Sequence, residues 1–311
     1  MNRGPTARWG VVATAILGAW FLLAGWSGPA EGKLRVVTTT SDLKAIAEAV
    51  GGDRVTVDSL LRGYQNPHDL EVRPSYMLKV QRADIFIRIG LDHDPWADPI
   101  VEGSRNRNIF RGAPGHVDVS QGIPLLEVPT GKIDRSQGDI HSFGNTHYWL
   151  DPENAKTIAR TIATGFQRVS PQDAAVFSAN LQRFQGEVER VTTRLQQEAE
   201  RLRGVKVVTY HSSWPYFAQR FGLRVVNFVE PKPGVPASPA HIEALIRQMR
   251  EEKVRLLIME PFFSDRVPRL VAKETGAQLL ILPPSVGGVK GVNTYIELLE
   301  YDVRRIIEAL R

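Results

Sequence analysis

Cysteine is absent from this sequence of 311 residues. Disulfide bonds, thiolate metal sites and a cysteine nucleophile are therefore excluded. Runs of Lys or Arg are absent as well, and the formal net charge of +5 is scattered along the chain. Because basic clusters are the usual mark of nucleic-acid binding, we expect no nucleic-acid partner. A chain of this length without disulfides needs apolar cores, and we expect two of them.

Charged residues are scarce in the first thirty positions. Arg3 and Arg8 precede an uncharged run from Trp9 to Trp26, and small residues follow up to Ala30. This order predicts a secretory signal peptide over residues 1–30, with cleavage after Ala30 and export to the periplasm or another extracytoplasmic space. An uncleaved membrane anchor is the alternative, because the apolar run is close to the shortest length that spans a bilayer.

The same segment lacks the residue that a lipoprotein needs. The stretch "LLAGW" resembles a lipoprotein processing box, but Trp26 stands where the lipidated cysteine would be. Since no lipid can be attached without that cysteine, we expect a soluble exported protein with an unmodified N-terminus near Glu31.

Short β-branched runs alternate with helical patterns from residue 33 onward. Several runs are apolar at consecutive positions, which is typical of strands covered on both faces in a mostly parallel sheet. The strand candidates are residues 34–40, 55–61, 85–90, 116–120, 205–210, 223–229, 254–260 and 278–284. Helix patterns lie at 41–50, 75–83, 151–169, 211–221, 239–252 and 294–310, and Asp151 suits an N-cap. The alternation predicts an α/β fold.

One long amphipathic segment separates the first four strand candidates from the last four. Apolar residues recur every three or four positions, at Phe177, Leu181, Phe184, Val188, Val191, Leu195, Ala199 and Leu202. A helix over residues 171–203 would span roughly 45 Å, so we expect it to join an N-terminal lobe of residues 31–170 to a C-terminal lobe of residues 204–311. A coiled-coil dimer is the alternative. The stripe is short for a zipper, and we therefore expect a monomer.

Three of the seven histidines share one setting. His68 lies in the loop after the second strand, His147 lies just ahead of a helix, and His211 follows directly on a strand. Glu260 ends another strand. Ligands of open α/β sheets bind beyond the carboxyl ends of the strands, and neutral imidazoles without thiolates suit an ion such as Zn²⁺. On position alone, a solvated surface role for each histidine stays open.

Five stretches resemble, in order, motifs of the zinc- and manganese-type solute-binding proteins of metal ABC transporters. They are "NPHDLEVRPS", "THYWLDPENA", "VVTYHSSWPYFAQRFGL", "FVEPKPGVPASPAHI" and "IMEPFFSDRVPRLVAKETG", and the resemblance covers residues 34 to 310. It implies two (β/α)4 lobes joined by the long helix, with a metal site in the cleft between them. It also implies a binding protein, not an enzyme, that captures Zn²⁺ (with Mn²⁺ the less favoured ion) and delivers it to a membrane permease.

Carried over position by position, the resemblance implies His68, His147 and His211 as metal ligands. Members often have an aspartate in the loop after the last strand, but here residues 283–294 read "PPSVGGVKGVNT" and contain no carboxylate. The fourth position is therefore open between Glu260, water and a loop residue. Glu260 could instead accept a hydrogen bond from a ligand histidine and orient it.

The other histidines are expected to have lesser roles. His141 lies in the long loop 128–147 and is the best candidate for an accessory histidine that attracts metal weakly, with a plain loop residue as the alternative. His93, in "GLDHDPW", is expected to be a plain loop residue, although its place past a strand end would let it line the cleft. His116 and His241 are expected to carry no chemistry, His241 as a solvated residue in the first turn of a helix.

Two other functions stay open beside metal transport. A zinc hydrolase could use three histidines and an activated water, but Glu260 is the one carboxylate candidate for its general base and no HExxH pairing is present. A metal-buffering or adhesin-like surface protein on the same fold is the second.

Overall fold

Eight short strands form two separate sheets in the computed structural model, which describes residues 1, 2, 4, 32–131, 142–232 and 234–311. The strands are β1 Leu34–Thr38, β2 Val55–Ser59, β3 Ile85–Arg88, β4 His116–Asp118, β5 Lys206–Thr209, β6 Arg224–Phe228, β7 Leu256–Met259 and β8 Gln278–Ile281. Their orders are β2-β1-β3-β4 and β6-β5-β7-β8, and every described pairing is parallel. The prediction of an α/β fold with four mostly parallel strands per lobe is confirmed.

Nine α-helices connect these strands within the described ranges. They are α1 Ser41–Gly51, α2 Pro74–Gln81, α3 Ala97–Gly103, α4 Pro152–Val169, α5 Ala174–Glu198, α6 Pro215–Phe221, α7 Pro239–Glu251, α8 Arg266–Thr275 and α9 Tyr295–Ala309. The sequence patterns missed α3, which has only seven residues, and α8, which buries only Pro268 and Val271. The buried residues Ala97, Ile100 and Val101 of α3 cover little more than one turn, which is too short to show a helical period, and α8 has too few buried apolar positions. The pattern from 211 begins a helix only at Pro215, so His211 lies in the turn before α6.

The long helix α5 contacts elements of both lobes. It packs against α1 and α4 of the first lobe and against α6 and α9 of the second. Its buried stripe includes Phe177, Phe184, Val188 and Leu195, and the rings of Phe184 and Tyr295 lie 6.2 Å apart. Short 3-10 turns at Pro171–Asp173 and Glu200–Leu202 flank the helix.

The apolar core is continuous between the lobes, which differs from the expected pair of separate cores. One cluster includes Val36 of β1, Val188 of α5 and Leu256 of β7. Two smaller clusters cover the outer faces of the two sheets, around Phe86 and around Leu257. The physical reason is α5, because its buried face joins the inner layers of both lobes.

Within the described part of the chain, no helix has the length and apolar character needed to cross a membrane. The signal segment expected over residues 1–30 lies, apart from residues 1, 2 and 4, outside the described ranges. His141 also lies outside them.

Candidate metal centre

Four histidine rings meet at the carboxyl ends of strands from both sheets. His68 follows β2, His93 follows β3, His147 begins the 3-10 turn ahead of α4, and His211 follows β5. The ring centroid of His68 lies 4.6 Å from that of His93, 5.0 Å from that of His147 and 5.3 Å from that of His211. Parallel strands present their carboxyl ends at one edge of a sheet, and here two such edges face one cleft.

The distances between the ring nitrogens fit the spacing of metal ligands. His68 Nε2 and His147 Nε2 are 3.1 Å apart. A tetrahedral zinc ion bound at about 2.0–2.1 Å would hold two nitrogens about 3.3 Å apart. The ligand atoms of His68, His93 and His147 all lie within 4.8 Å of one another. The cluster is therefore compact enough for one ion to contact several imidazoles.

Oxygen acceptors orient two of these rings. Asn145 Oδ1 accepts hydrogen bonds from the His147 backbone N–H, at 2.9 Å, and from His147 Nδ1, at 3.1 Å. Glu230 Oε2 lies 2.8 Å from His211 Nδ1. Because both oxygens can only accept, they assign the ring proton to Nδ1 and leave the Nε2 lone pair for a metal ion.

Asn145 also joins the loop of His147 to that of His211. Its Nδ2 donates to the Ser212 carbonyl at 2.7 Å and to Glu127 Oε2 at 2.8 Å. Tyr216 OH, from α6, donates to the Asn145 carbonyl at 2.9 Å. The loops that carry His147 and His211 are thus held together by direct hydrogen bonds.

Glu260 lies at the end of β7, beside His211, and is fully buried. Its Oε1 accepts a hydrogen bond from Trp214 Nε1 at 3.0 Å. Burial raises the pKa of the Glu260 carboxyl, and the nearby His211 opposes that shift. The described group whose ligand atoms all lie within 4.8 Å contains His68, His93 and His147, and neither Glu260 nor His211 belongs to it.

The fold brings His68, His147 and His211 together, as the family motifs implied, and adds His93. His93 is fully buried, with its ring 5.1 Å from that of Trp149, so the expectation of a plain loop residue is wrong. The rule that ligands gather at the carboxyl ends of strands could have found it, since His93 follows β3. Trp149, also 5.3 Å from the His147 ring, forms part of the wall.

Two histidines lie outside the cluster, as expected. His116 Nδ1 contacts the Ile109 carbonyl at 2.9 Å. His241 is half-buried, with Nε2 2.9 Å from the Phe228 carbonyl, and is therefore less solvated than the sequence suggested.

Similar sequences and a similar fold occur in known proteins. The family model described as ZnuA, zinc-uptake complex component A periplasmic, matches residues 36–309. The chain is 27% identical over 279 residues to the iron-binding protein YfeA of Yersinia pestis, with 88% of this chain and 85% of the relative covered. It is 24% identical over 318 residues to the manganese ABC transporter substrate-binding lipoprotein PsaA of Streptococcus pneumoniae, with coverage of 97% and 98%. The crystal structure of ZnuA superposes with a TM-score of 0.75 at 25% identity and covers 90% of this chain and 100% of that one.

Proposed function

Because the chain belongs to the family of periplasmic zinc-uptake components, we propose that it captures Zn²⁺ and delivers it to the permease of a metal ABC transporter. It is a metal-binding substrate-binding protein of ABC transporter type and not an enzyme. The relatives described above are named for zinc, iron and manganese. Family membership alone therefore does not identify the bound ion. The identity of the ion is argued from the donor atoms of the site.

The donor set favours zinc. His68, His147 and His211 offer three imidazoles, and the loop over residues 283–294 offers no carboxylate. Manganese prefers oxygen-rich sites of higher coordination number, whereas imidazole suits zinc, which also binds more tightly in the Irving–Williams order. The observation that carries the proposal is the 3.1 Å separation of His68 Nε2 and His147 Nε2, which matches two ligands of one ion.

Glu260 is proposed to act beside these three ligands. As a buried carboxylate next to His211, it could fill the fourth position or offset the charge of the ion while a water or another side chain binds. Its hydrogen bond from Trp214 keeps one carboxylate oxygen occupied in either case.

Export and assembly complete the proposal. Residues 1–30 act as the export signal, and the mature chain begins near Glu31 without a lipid, because the sequence has no cysteine. The mature protein works as a monomer, with lobes over residues 31–170 and 204–311 and the linking segment 171–203 between them.

A competition titration of the purified exported protein with Zn²⁺ and Mn²⁺, together with elemental analysis, tests the function. We expect one zinc ion per chain and tighter binding of zinc than of manganese. His211→Ala should weaken zinc binding at least tenfold, since even the loss of partners behind a ligand costs about 10–100-fold. The matched control is His241→Ala, a histidine outside the cluster, which should keep full affinity. Manganese binding as tight as zinc binding, or full affinity in His211→Ala, would contradict the proposal.

A further inference from the structure

The turn that carries His93 has an unusual backbone. Gly90, Leu91 and Asp92 have φ angles of +76°, +52° and +59° in succession. A leucine in the left-handed region is uncommon, and three consecutive residues there are costly for an ordinary loop. Conformations of this kind persist only where the surroundings impose them, and they cluster at ligand clamps and active sites.

A buried ion pair imposes this conformation. Asp94 is fully buried, and its carboxylate accepts hydrogen bonds from the Ile89 N–H at 2.8 Å and the Gly90 N–H at 3.2 Å. Arg88, which is 2% exposed, donates to the same carboxylate from Nε at 3.0 Å and from a terminal nitrogen at 2.9 Å. The charge of Asp94 is thus compensated, and the turn is fixed from both sides.

Gly90 shows that the turn has little freedom to relax. Besides its positive φ, a side chain at this position would collide with the carboxylate of Asp118. The chain therefore accepts local strain, a buried charge pair and a required glycine within the seven residues from Arg88 to Asp94. All of these features orient the next side chain, His93.

His93 enters the histidine cluster with its ring already aligned. Its Nδ1 lies 2.8 Å from Thr146 Oγ1, which leaves Nε2 as the nitrogen for a metal ion. Its ring centroid is 4.6 Å from that of His68 and 5.4 Å from that of His147. Thr146 stands between Asn145, which orients His147, and His147 itself, so the same short loop positions two rings.

We propose that His93 is the fourth metal ligand, so that the ion is held by the four imidazoles of His68, His93, His147 and His211. This inference rests on the proposed function, and it assigns the fourth coordination position of the metal ion to a nitrogen donor. Four neutral imidazoles leave the charge of the ion uncompensated within the ligand set. Glu230, whose carboxylate lies 2.8 Å from His211 Nδ1, supplies negative charge immediately outside it.

A four-imidazole site narrows the choice of ion. It lacks the oxygen donors that manganese and magnesium prefer, and it suits zinc and other ions that favour imidazole. His93 is therefore a residue that determines specificity as well as affinity. Its removal should lower the preference for zinc over manganese, because water would replace a nitrogen.

X-ray absorption at the zinc edge and zinc competition titrations on the full chain test this assignment. We expect four nitrogen neighbours at about 2.0–2.1 Å in the parent protein, and three nitrogens with one oxygen in His93→Ala and His93→Gln. Zinc affinity should fall by about 10–100-fold in both. Glu260→Gln should keep four nitrogen neighbours.

The outcomes distinguish failure of the His93 assignment from failure of the proposed zinc-binding function. Thermal unfolding of the metal-free variants shows whether the turn still folds, and His93→Gln retains a polar side chain of similar reach. If both His93 variants keep the parent affinity and coordination while His211→Ala loses zinc, His93 is only a packing residue and the inference is wrong. The same holds if Glu260→Gln, and not His93→Gln, alters the coordination shell. If the parent protein itself fails to bind zinc, the proposed function is wrong.

Discussion

Each buried histidine of the centre has one oxygen behind it. Asn145 holds His147, Glu230 holds His211 and Thr146 holds His93. The three oxygens fix the orientation of the rings, and Asn145 Oδ1 and Glu230, which only accept, also fix the tautomer of His147 and His211, so little side-chain entropy is lost on metal binding. Asn145 and Thr146 are neighbours in "NTH", a tripeptide whose third residue, His147, is itself a proposed ligand.

Glu230 provides a test at this scale. Glu230→Ala should weaken zinc binding by about tenfold or more, because His211 loses the acceptor that fixes its ring. Glu230→Gln should have a smaller effect, since its amide oxygen can still accept from Nδ1. Zinc competition titration measures both. Equal affinities of the alanine variant and the parent would show that the contact does not position His211.

At the scale of elements, the start of α4 connects the metal-site loop to the second lobe. Asp151 caps α4 by accepting from the Glu153 N–H at 2.9 Å, which confirms the expected N-cap. Arg220 of α6 binds both oxygens of the same carboxylate, at 2.7 and 2.9 Å. Paired contacts of this kind fix geometry as well as adding energy. One side chain thus sets both the helix boundary and a contact between lobes.

Two substitutions separate these roles of Asp151. Asp151→Asn keeps a good N-cap and loses the charge pair, whereas Asp151→Ala loses both. The alanine variant should be less stable than the asparagine variant by about 1 kcal/mol, the usual value of an N-cap. Urea unfolding of the metal-free proteins measures the difference. Equal stability of the two variants would contradict a capping role.

At the scale of the molecule, the loop after β8 ties the second lobe to the first. Asp42 Oδ1 accepts from the Val286 N–H at 2.9 Å, and Trp149 Nε1 donates to the Pro284 carbonyl at 2.8 Å. Gly63 packs so closely on the backbone of this loop that a side chain there would collide with it. The contacts are buried and polar, so the lobes meet through a specific and not merely an apolar surface.

The buried acids at this interface predict a pH dependence of stability. Burial raises the pKa of Asp42 to about 7 and raises the pKa of Asp302, on α9, well above its usual value. The nearby Asp42 carboxylate raises the pKa of Asp302 further. Both acids are protonated in the folded chain at mildly acid pH. The unfolded chain releases these protons above about pH 4, so it gains stability relative to the folded chain as the pH rises. The stabilising contribution is therefore complete below about pH 4 and is lost as the pH rises to about 7 and beyond.

Asp42→Asn tests this dependence, since its amide oxygen can still accept from Val286. The free energy of unfolding of the metal-free parent should fall relative to that of the variant between pH 4.5 and 8, by on the order of 4 kcal/mol if the full shift of Asp42 is realised. Urea unfolding at several pH values measures the difference. Parallel profiles for the two proteins would show that Asp42 does not titrate across this range.

The sequence alone determined the features that depend on local order. Strand and helix periods predict two α/β lobes and a long helix, because burial of one face repeats along the chain at the period of the element. The motifs around His68, His147 and His211 also identify ligand loops at strand ends. The sequence patterns did not predict α3 and α8, because α3 is only seven residues long and α8 buries only two side chains.

Only the tertiary structure decided which side chains complete the centre. His93 and Thr146 are 53 positions apart, and no period in the sequence relates them. They meet because β3 and the loop before α4 end at the same edge, and because Arg88 and Asp94 hold the strained turn between them. Likewise, Glu260 follows β7 as the sequence indicated, but its hydrogen bond from Trp214 follows from packing. Local pattern determines the elements, whereas the composition of a site depends on long-range contacts that the chain makes only when folded.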